Sequence, residues 1–303
     1  MTIRFDNRVA IVTGAGVGLG RSHALLLASR GAKVVVNDPG GSVDGTGGGA
    51  SVADQVVAEI KAAGGEAVAN YGSVSDEKAA EGIIATAMEK WGRLDILVNN
   101  AGILRDKSFN KMDNSDFRVV VDVHLMGTVY CTKAAWQHMR AARYGRIVVT
   151  TSGSGTVGNF GQANYGAAKM AVNGFINVLR HEGQSYNIKL NAISPSARTR
   201  MTEDLVPEEL AQFMKPELVS PAVAWMCSEQ CDVSGEIISA NAGSYSVVKY
   251  FQTEGVQFDP VDPVTLEMFA DAWPKINDFT DAGPMGRSRG RLEARLRAMG
   301  RIK

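Results

Sequence analysis

The sequence predicts a doubly wound α/β domain, a seven-stranded parallel sheet with helices on both faces, followed by a C-terminal extension. Three observations carry that expectation. Short β-branched runs alternate with longer stretches of helical character from Val9 to Ile238. The runs are continuously apolar instead of alternating, as in strands covered on both faces. A glycine-rich turn also joins the first strand to the first helix.

Taken in order, Val9-Ala10-Ile11-Val12 opens the series, and Leu19 begins a helix over residues 19–30. Lys33-Val34-Val35-Val36 is the second strand and residues 50–63 its helix. Ala67-Val68-Ala69 and residues 78–90 make the third pair. Ile96-Leu97-Val98 leads to one long helix over residues 115–142, and Arg146-Ile147-Val148-Val149 to a helix over 163–182. Residues 188–192, a short helix over 221–228 and Glu236-Ile237-Ile238 complete the set. Crossovers of one hand between such units build a parallel sheet. Three stretches break the rhythm: residues 39–49 with six glycines, residues 195–220 with three prolines, and everything from about Lys249 onward. The expected division is therefore a nucleotide-binding domain over residues 1–248 and an extension over 249–303 packed on it.

Composition narrows the function. The 303 residues carry 32 Lys+Arg against 32 Asp+Glu, without the basic excess of a nucleic-acid-binding domain. Three cysteines (Cys131, Cys227, Cys231) are too few for a disulfide framework, and neither they nor the four scattered histidines form a metal-ligand pattern. No run has the length and apolarity of a membrane span, and the N-terminus lacks the build of an export signal. The C-terminal Arg301-Ile302-Lys303 is not the Ser-Lys-Leu peroxisomal address. A soluble cytoplasmic protein that binds no metal, membrane or nucleic acid is expected. Glycine stands out, at 33 residues, above the usual share of about 7%.

Those glycines concentrate where a ligand would sit. Thr13-Gly14-Ala15-Gly16-Val17-Gly18-Leu19-Gly20 follows the first strand and enters a helix, so Gly14, Gly18, Leu19 and Gly20 are expected to cradle a pyrophosphate at the helix N-terminus. Asp38 ends the second strand 20 residues after Gly18. A carboxylate there accepts hydrogen bonds from ribose hydroxyls and repels a 2′-phosphate, which favours NAD over NADP.

In order along the chain, Thr13-Gly14-x3-Gly18-x-Gly20, Asn99-Asn100-Ala101-Gly102 and Tyr165-x3-Lys169 resemble the short-chain dehydrogenase/reductase family, over about residues 5–245. The resemblance implies the Rossmann fold and an oxidoreductase with Tyr165 as general acid/base. Tyr165 and Lys169, four apart, share a helix face. An ammonium beside a phenol, which titrates near pH ~10 when free, stabilises its phenolate. Ser152, 13 residues before Tyr165, matches the family's substrate-orienting serine, with Ser154 as a neighbouring candidate. The family also implies cofactor contacts from Asn100, Tyr165 and Lys169. Where many members carry an asparagine for a proton relay, this chain has His124, either a relay imidazole or a packed helix histidine.

A narrower resemblance runs to about residue 283. Residues 36–41, 69–71, 100–106, 123–127, 158–165, 200–203 and 273–279 are similar to the (3R)-hydroxyacyl-CoA dehydrogenase domain of peroxisomal multifunctional enzyme type 2. It implies NAD-linked oxidation of a 3-hydroxyacyl-CoA, adenine contacts at Ser73 and Val74, and a nicotinamide border near Thr199, where the family's usual Pro-Gly is Pro195-Ser196. A 17β-hydroxysteroid or other secondary-alcohol dehydrogenase is the alternative, and a non-catalytic NAD sensor is one of another class. The family implies a homodimer or homotetramer, and the helix over 115–142 carries Val119, Val123, Met126, Tyr130 and Ala134 as surplus apolar surface. Residues 287–303 hold seven basic side chains and fit a short helix, read either as a solvated terminus or as a grip on CoA phosphates.

Overall fold

All five residues of the first strand, β1 (Val9–Thr13), are buried, and so are all four of β4 (Ile96–Asn99). Strands this apolar need cover on both faces, and they get it. The computed structural model describes residues 2–49, 51–202, 207–285 and 288–303, in two compact units, residues 1–247 and 248–303.

The first unit runs β1, α1 (Gly18–Ser29), β2 (Lys33–Asn37), α2 (Ser51–Ala62), β3 (Ala67–Asn70), α3 (Glu77–Trp91) and β4. It continues with α4 (Asn114–Val121), α5 (Gly127–Ala142), β5 (Gly145–Thr150), α6 (Gly153–Thr156), α7 (Ala163–Gly183), β6 (Ile188–Ser196), α8 (Glu208–Ala211), α9 (Ser220–Cys227), β7 (Ile237–Asn241) and β8 (Ser244–Val248). The sheet order is β3-β2-β1-β4-β5-β6-β7-β8, with every pair from β3 to β7 parallel. This is the Rossmann arrangement: the order reverses between β1 and β4, and the crevice beyond their C-terminal ends is where such sheets hold ligands. Ile11, Leu97, Ile147 and Leu190 from the strands and Leu27, Ile60 and Ile176 from the helices are fully buried in the core.

Two expectations change. The sheet has eight strands, not seven. Ala242 and Gly243, at φ 47° and 82°, form a two-residue turn that folds β8 back beside β7. The single helix expected over 115–142 has three parts, because Asp122–Met126 forms a wider π-helical turn between α4 and α5. Such turns re-aim side chains at functional sites, and here the re-aimed residue is His124. Residue 50, the expected start of α2, lies outside the described residues, as does Glu203.

The second unit contains the antiparallel pair β9 (Phe251–Gln252) and β10 (Gly283–Pro284), α10 (Leu266–Ile276) and α11 (Ser288–Ala298). Thr253 Oγ1 donates to Ile276 O at 2.7 Å. Arg301 pairs with Asp259 and Arg295 donates to Glu254 O, so two of the tail's cations are engaged within the unit. Arg287, expected in the basic run, lies outside the described residues. Among the described residues no helix is long and apolar enough to cross a membrane, and no cluster of three metal-ligating side chains occurs.

Candidate active site

The turn after β1 is shaped by bonds to residues at the ends of its two neighbouring strands, β2 and β4. Thr13 Oγ1 accepts the N–H groups of Asn100 at 3.0 Å and Ala101 at 3.1 Å. Asn100 Nδ2 donates to the carbonyls of Thr13 at 2.9 Å and Gly14 at 3.1 Å. Asn100 thus shapes the loop as well as facing the cavity. Asp38, nearly buried at the end of β2, accepts the N–H of Gly16 on Oδ2 at 2.9 Å and that of Gly40 on Oδ1 at 2.7 Å.

Close approach explains the glycines. A Cβ on Gly20 would lie 2.1 Å from Gly14 O, so α1 could not start against the turn. One on Gly16 would lie 2.9 Å from Asp38 Oδ2. Gly16 belongs to the site although the Gly14-x3-Gly18 spacing passes over it; the missing signal was its bond to Asp38.

At the other end, α6 lies against α7. A Cβ on Gly155 would meet Met170 N at 2.8 Å, and one on Gly166 would meet Ser154 O at 2.9 Å. That approach lets Ser152, just beyond β5, face Tyr165 and Lys169 on α7. Lys169 is buried, and its Nζ donates to Thr150 O at 2.5 Å and lies 5.4 Å from the Tyr165 ring centroid. Burial pushes Lys169 down to about 7. Burial also pushes the Tyr165 phenol up to about 12; a hydrogen bond with Ser152 opposes the rise and the charge of Asp106 adds to it. The shift expected of Lys169, toward a lower phenol pKa, is not the dominant influence here: burial is.

His124 is buried, its ring edge-on to Tyr165 with centroids 5.0 Å apart. Nε2 lies 2.8 Å from Ile103 O and 3.1 Å from Ile103 N, so the backbone of one residue serves either tautomer. Nδ1 is buried and finds no partner among the described residues. Burial and the nearby Lys169 hold this imidazole well below its usual pKa. Only glycine fits at position 102, where a Cβ would stand 2.3 Å from His124 Cε1.

One cavity of about 600 Å³ joins the two ends. Every site residue expected from the sequence lines it: Gly14, Gly18, Leu19, Gly20, Asp38, Ser73, Val74, Asn100, His124, Ser152, Tyr165, Lys169 and Thr199. Val74 sits under Gly127, where a Cβ would approach it to 2.7 Å, and Thr199 packs over Gly18. The lining also includes Gln162 and Arg200, which sequence reasoning missed. Arg200 Nη2 donates to Gly41 O at 3.0 Å, tying the segment after β6 to the glycine-rich insertion. That insertion is pinned from the other side by Leu104 N–H to Val43 O at 3.0 Å and by Arg105 Nε to Asp44 O at 2.9 Å.

These residues fit a dinucleotide. The cradle is a turn that Cβ atoms would fill, Asp38 offers acceptor oxygens at its edge, and the cavity reaches from there to Tyr165.

Comparison with known proteins agrees. The short chain dehydrogenase family model matches residues 8–210. The chain is 49% identical over 281 residues to the peroxisomal multifunctional enzyme type 2 of Mus musculus, covering 92% of this chain and 38% of that protein. The structure of the full-length enzyme of that name from Drosophila melanogaster superposes with a TM-score of 0.82 at 41% identity, covering 99% of this chain and 51% of that one. This chain therefore spans about half, or less, of those relatives. A 7α-hydroxysteroid dehydrogenase complexed with NADH and 7-oxo glycochenodeoxycholic acid superposes with a TM-score of 0.72 at 29% identity, covering 79% of this chain and 95% of that one. With its order-reversed sheet, its glycine turn and a tyrosine and lysine sharing one helix face, this chain belongs to the short-chain dehydrogenase family.

Proposed function

We propose that this chain is an NAD-dependent dehydrogenase that oxidises a 3-hydroxyacyl-CoA to the 3-oxoacyl-CoA. The observation that carries the reading is the cavity with Tyr165, Ser152 and Lys169 at one end and the glycine turn and Asp38 at the other. The relatives named as multifunctional enzymes support the acyl-CoA substrate class.

The chain's own residues define the proton chemistry. The substrate hydroxyl lies against Tyr165 and Ser152; Tyr165 passes its own proton on toward Lys169 and takes the hydroxyl proton in its place as the carbinol carbon is oxidised. Ser152 Oγ already accepts the Ser154 N–H at 3.1 Å, so its own proton is directed toward Tyr165 and, with substrate between them, toward the reacting oxygen. Lys169, held by Thr150 O and with its pKa brought to about 7, is placed to exchange protons on the far side of the phenol. A nicotinamide dinucleotide held by the glycine turn and Asp38 would supply the acceptor for the hydride of the carbinol carbon. Asp38 favours the unphosphorylated ribose and thus NAD over NADP.

We read the active form as a homodimer or homotetramer. Val119 and Val123 line the cavity, which accounts for part of the apolar surface on the long helix. Met126, Tyr130 and Ala134 remain half-buried, while Met170 and Val178 on α7 are exposed.

The test is steady-state kinetics with NAD and NADP against 3-hydroxyacyl-CoAs of several lengths and a 17β-hydroxysteroid, with Tyr165→Phe as control. The expected result is turnover of the acyl-CoA with NAD and loss of at least about a thousandfold in kcat for the variant, with NADH binding retained. Turnover of the steroid alone would replace the substrate assignment. Near wild-type turnover by Tyr165→Phe would overturn the catalytic one.

A further inference from the structure

Behind the cavity wall that carries Ser152 runs a chain of hydrogen bonds that starts at a carboxylate. Asp106, in the loop after β4, accepts from Gln162 Nε2 on Oδ2 at 2.6 Å. Gln162 is buried, and its Oε1 accepts from Ser154 Oγ at 2.7 Å and from Asn159 Nδ2 at 3.2 Å. The Ser154 N–H in turn donates to Ser152 Oγ at 3.1 Å. Gln162, Ser154 and Ser152 line the cavity; Asp106 is not part of the lining.

The sense of each bond follows from the first. An ionised carboxylate only accepts, so the amide must turn its NH2 toward Asp106 and its oxygen toward Ser154. The Ser154 hydroxyl is then committed as a donor, which holds the residue whose N–H occupies Ser152 Oγ. The backbone on either side of Gln162 is tied to the same loop by the Lys107 N–H to Gly161 O at 2.9 Å and by Asn164 Nδ2 to Arg105 O at 3.0 Å, which leaves the direction of the Gln162 amide to Asp106. Gly158 and Gly161 take φ near +83° and +82°, and Val157 before them and Phe160 between them are almost fully exposed. The Asp106–Gln162 bond spans 56 positions of chain and joins the loop after β4 to the start of α7.

We propose that Asp106 is a positioning residue which, through Gln162 and Ser154, holds the Ser152 hydroxyl as a donor to the reacting oxygen. The inference rests on the dehydrogenase reading above. Asp106 also adds negative charge near Tyr165. The other titratable groups facing that phenol are Lys169 on its own helix and His124 from the π-helical turn. The cations flanking Asp106 in sequence, Arg105 and Lys107, are both paired to Asp116, at 3.1 and 2.7 Å.

The test is an exchange of partners. Asp106→Ala removes the anchor, and Gln162→Glu sets one carboxylate against another; each is expected to lower kcat at least about tenfold with KM for NAD within about twofold. The double variant Asp106→Asn/Gln162→Glu restores a donor–acceptor pair in the reverse sense and is expected to recover kcat to within about threefold of wild type. Asp106→Asn alone keeps an acceptor but loses the charge, so the Tyr165 phenol should titrate lower than in the wild type. That shift is read by NMR of ¹³C-labelled tyrosine, with Tyr165→Phe assigning the resonance. If Asp106→Ala keeps kcat within twofold of wild type, if the double variant is as impaired as the singles, or if the phenol does not move in Asp106→Asn, the proposal is overturned. The NMR arm needs no substrate, so a wild-type enzyme inactive on every alcohol tried would sink the dehydrogenase reading while still deciding this one.

Discussion

Replacing Asp38 tests how the cofactor is chosen. The carboxylate is nearly buried and accepts two backbone N–H groups, yet each oxygen keeps a further lone pair for a ribose hydroxyl. Two unit charges about 5 Å apart interact by about 3 kcal/mol at an effective dielectric of about 20, so a 2′-phosphate there is disfavoured by roughly two orders of magnitude. An arginine meant to attract that phosphate cannot go at position 37. Asn37 is fully buried and donates to Asn70 Oδ1 and Gly72 O, both at 2.9 Å. Pro39 is exposed at the cavity rim, and its useful group, a carbonyl that accepts the Gly49 N–H at 3.0 Å, survives substitution. The variant is therefore Asp38→Ala/Pro39→Arg. The ratio of kcat/KM for NAD to that for NADP is expected to fall by about a hundredfold or more. Activity with NAD should itself fall about tenfold, because two loop N–H groups lose their acceptor. The assay is initial-rate kinetics with each cofactor at saturating substrate. Equal use of both cofactors by the wild-type enzyme, or an unchanged ratio in the variant, would refute the assignment.

Gly102→Ala drives a methyl group into His124 and should destabilise the protein by about 1–3 kcal/mol while lowering kcat; the double variant Gly102→Ala/His124→Ala should regain stability but not activity, and a neutral Gly102→Ala in thermal unfolding would contradict the close contact. His23, buried with Nδ1 2.7 Å from Ser220 Oγ, is pushed down to about 3 by burial. Between pH 6.5 and about 3 the unfolded chain binds a proton that the folded one does not. Stability is therefore lost as pH falls through that window, by roughly 2.5 kcal/mol between pH 7 and 4.5. Urea unfolding at both pH values should show that much less loss in His23→Gln, and equal losses in variant and wild type would exclude His23 as the source.

The parallel sheet was readable because each strand is a short β-branched run and each crossover a longer helical one, a pattern local to the sequence. The eighth strand was not, since Ala242-Gly243 lacks the usual asparagine or aspartate of a two-residue hairpin and Ser244–Val248 is mostly exposed. Nothing local marks the π-helical turn either; it belongs with the seating of His124 between Gly102 and Tyr165. Tyr165, Lys169, Ser152 and the glycine turn stood out because their chemistry depends on spacing within one or two elements. Gly16, Asp106 and Gln162 did not, because each matters through a bond to a residue far along the chain: Asp38 for the first, and one another for the other two.

The two ends of the cavity are built on opposite electrostatic principles. At the glycine turn, polar capacity is spent on shaping the backbone first: Asn100 uses its amide on two carbonyls, and Asp38 one lone pair of each oxygen on an N–H. What the ligand meets is the remainder, already oriented, so little ordering is left for binding to impose. Shape and selectivity therefore fail together when Asp38 is changed. At Tyr165, burial suppresses charge instead, raising the phenol to about 12, bringing Lys169 to about 7 and holding His124 neutral. Near neutrality the reacting oxygen then faces hydroxyl donors whose direction is set by hydrogen bonds, with no fixed ion pair to reorganise as its charge changes. A full charge at Asp106, one residue removed from that wall, acts on it through the orientation of Gln162 without entering it.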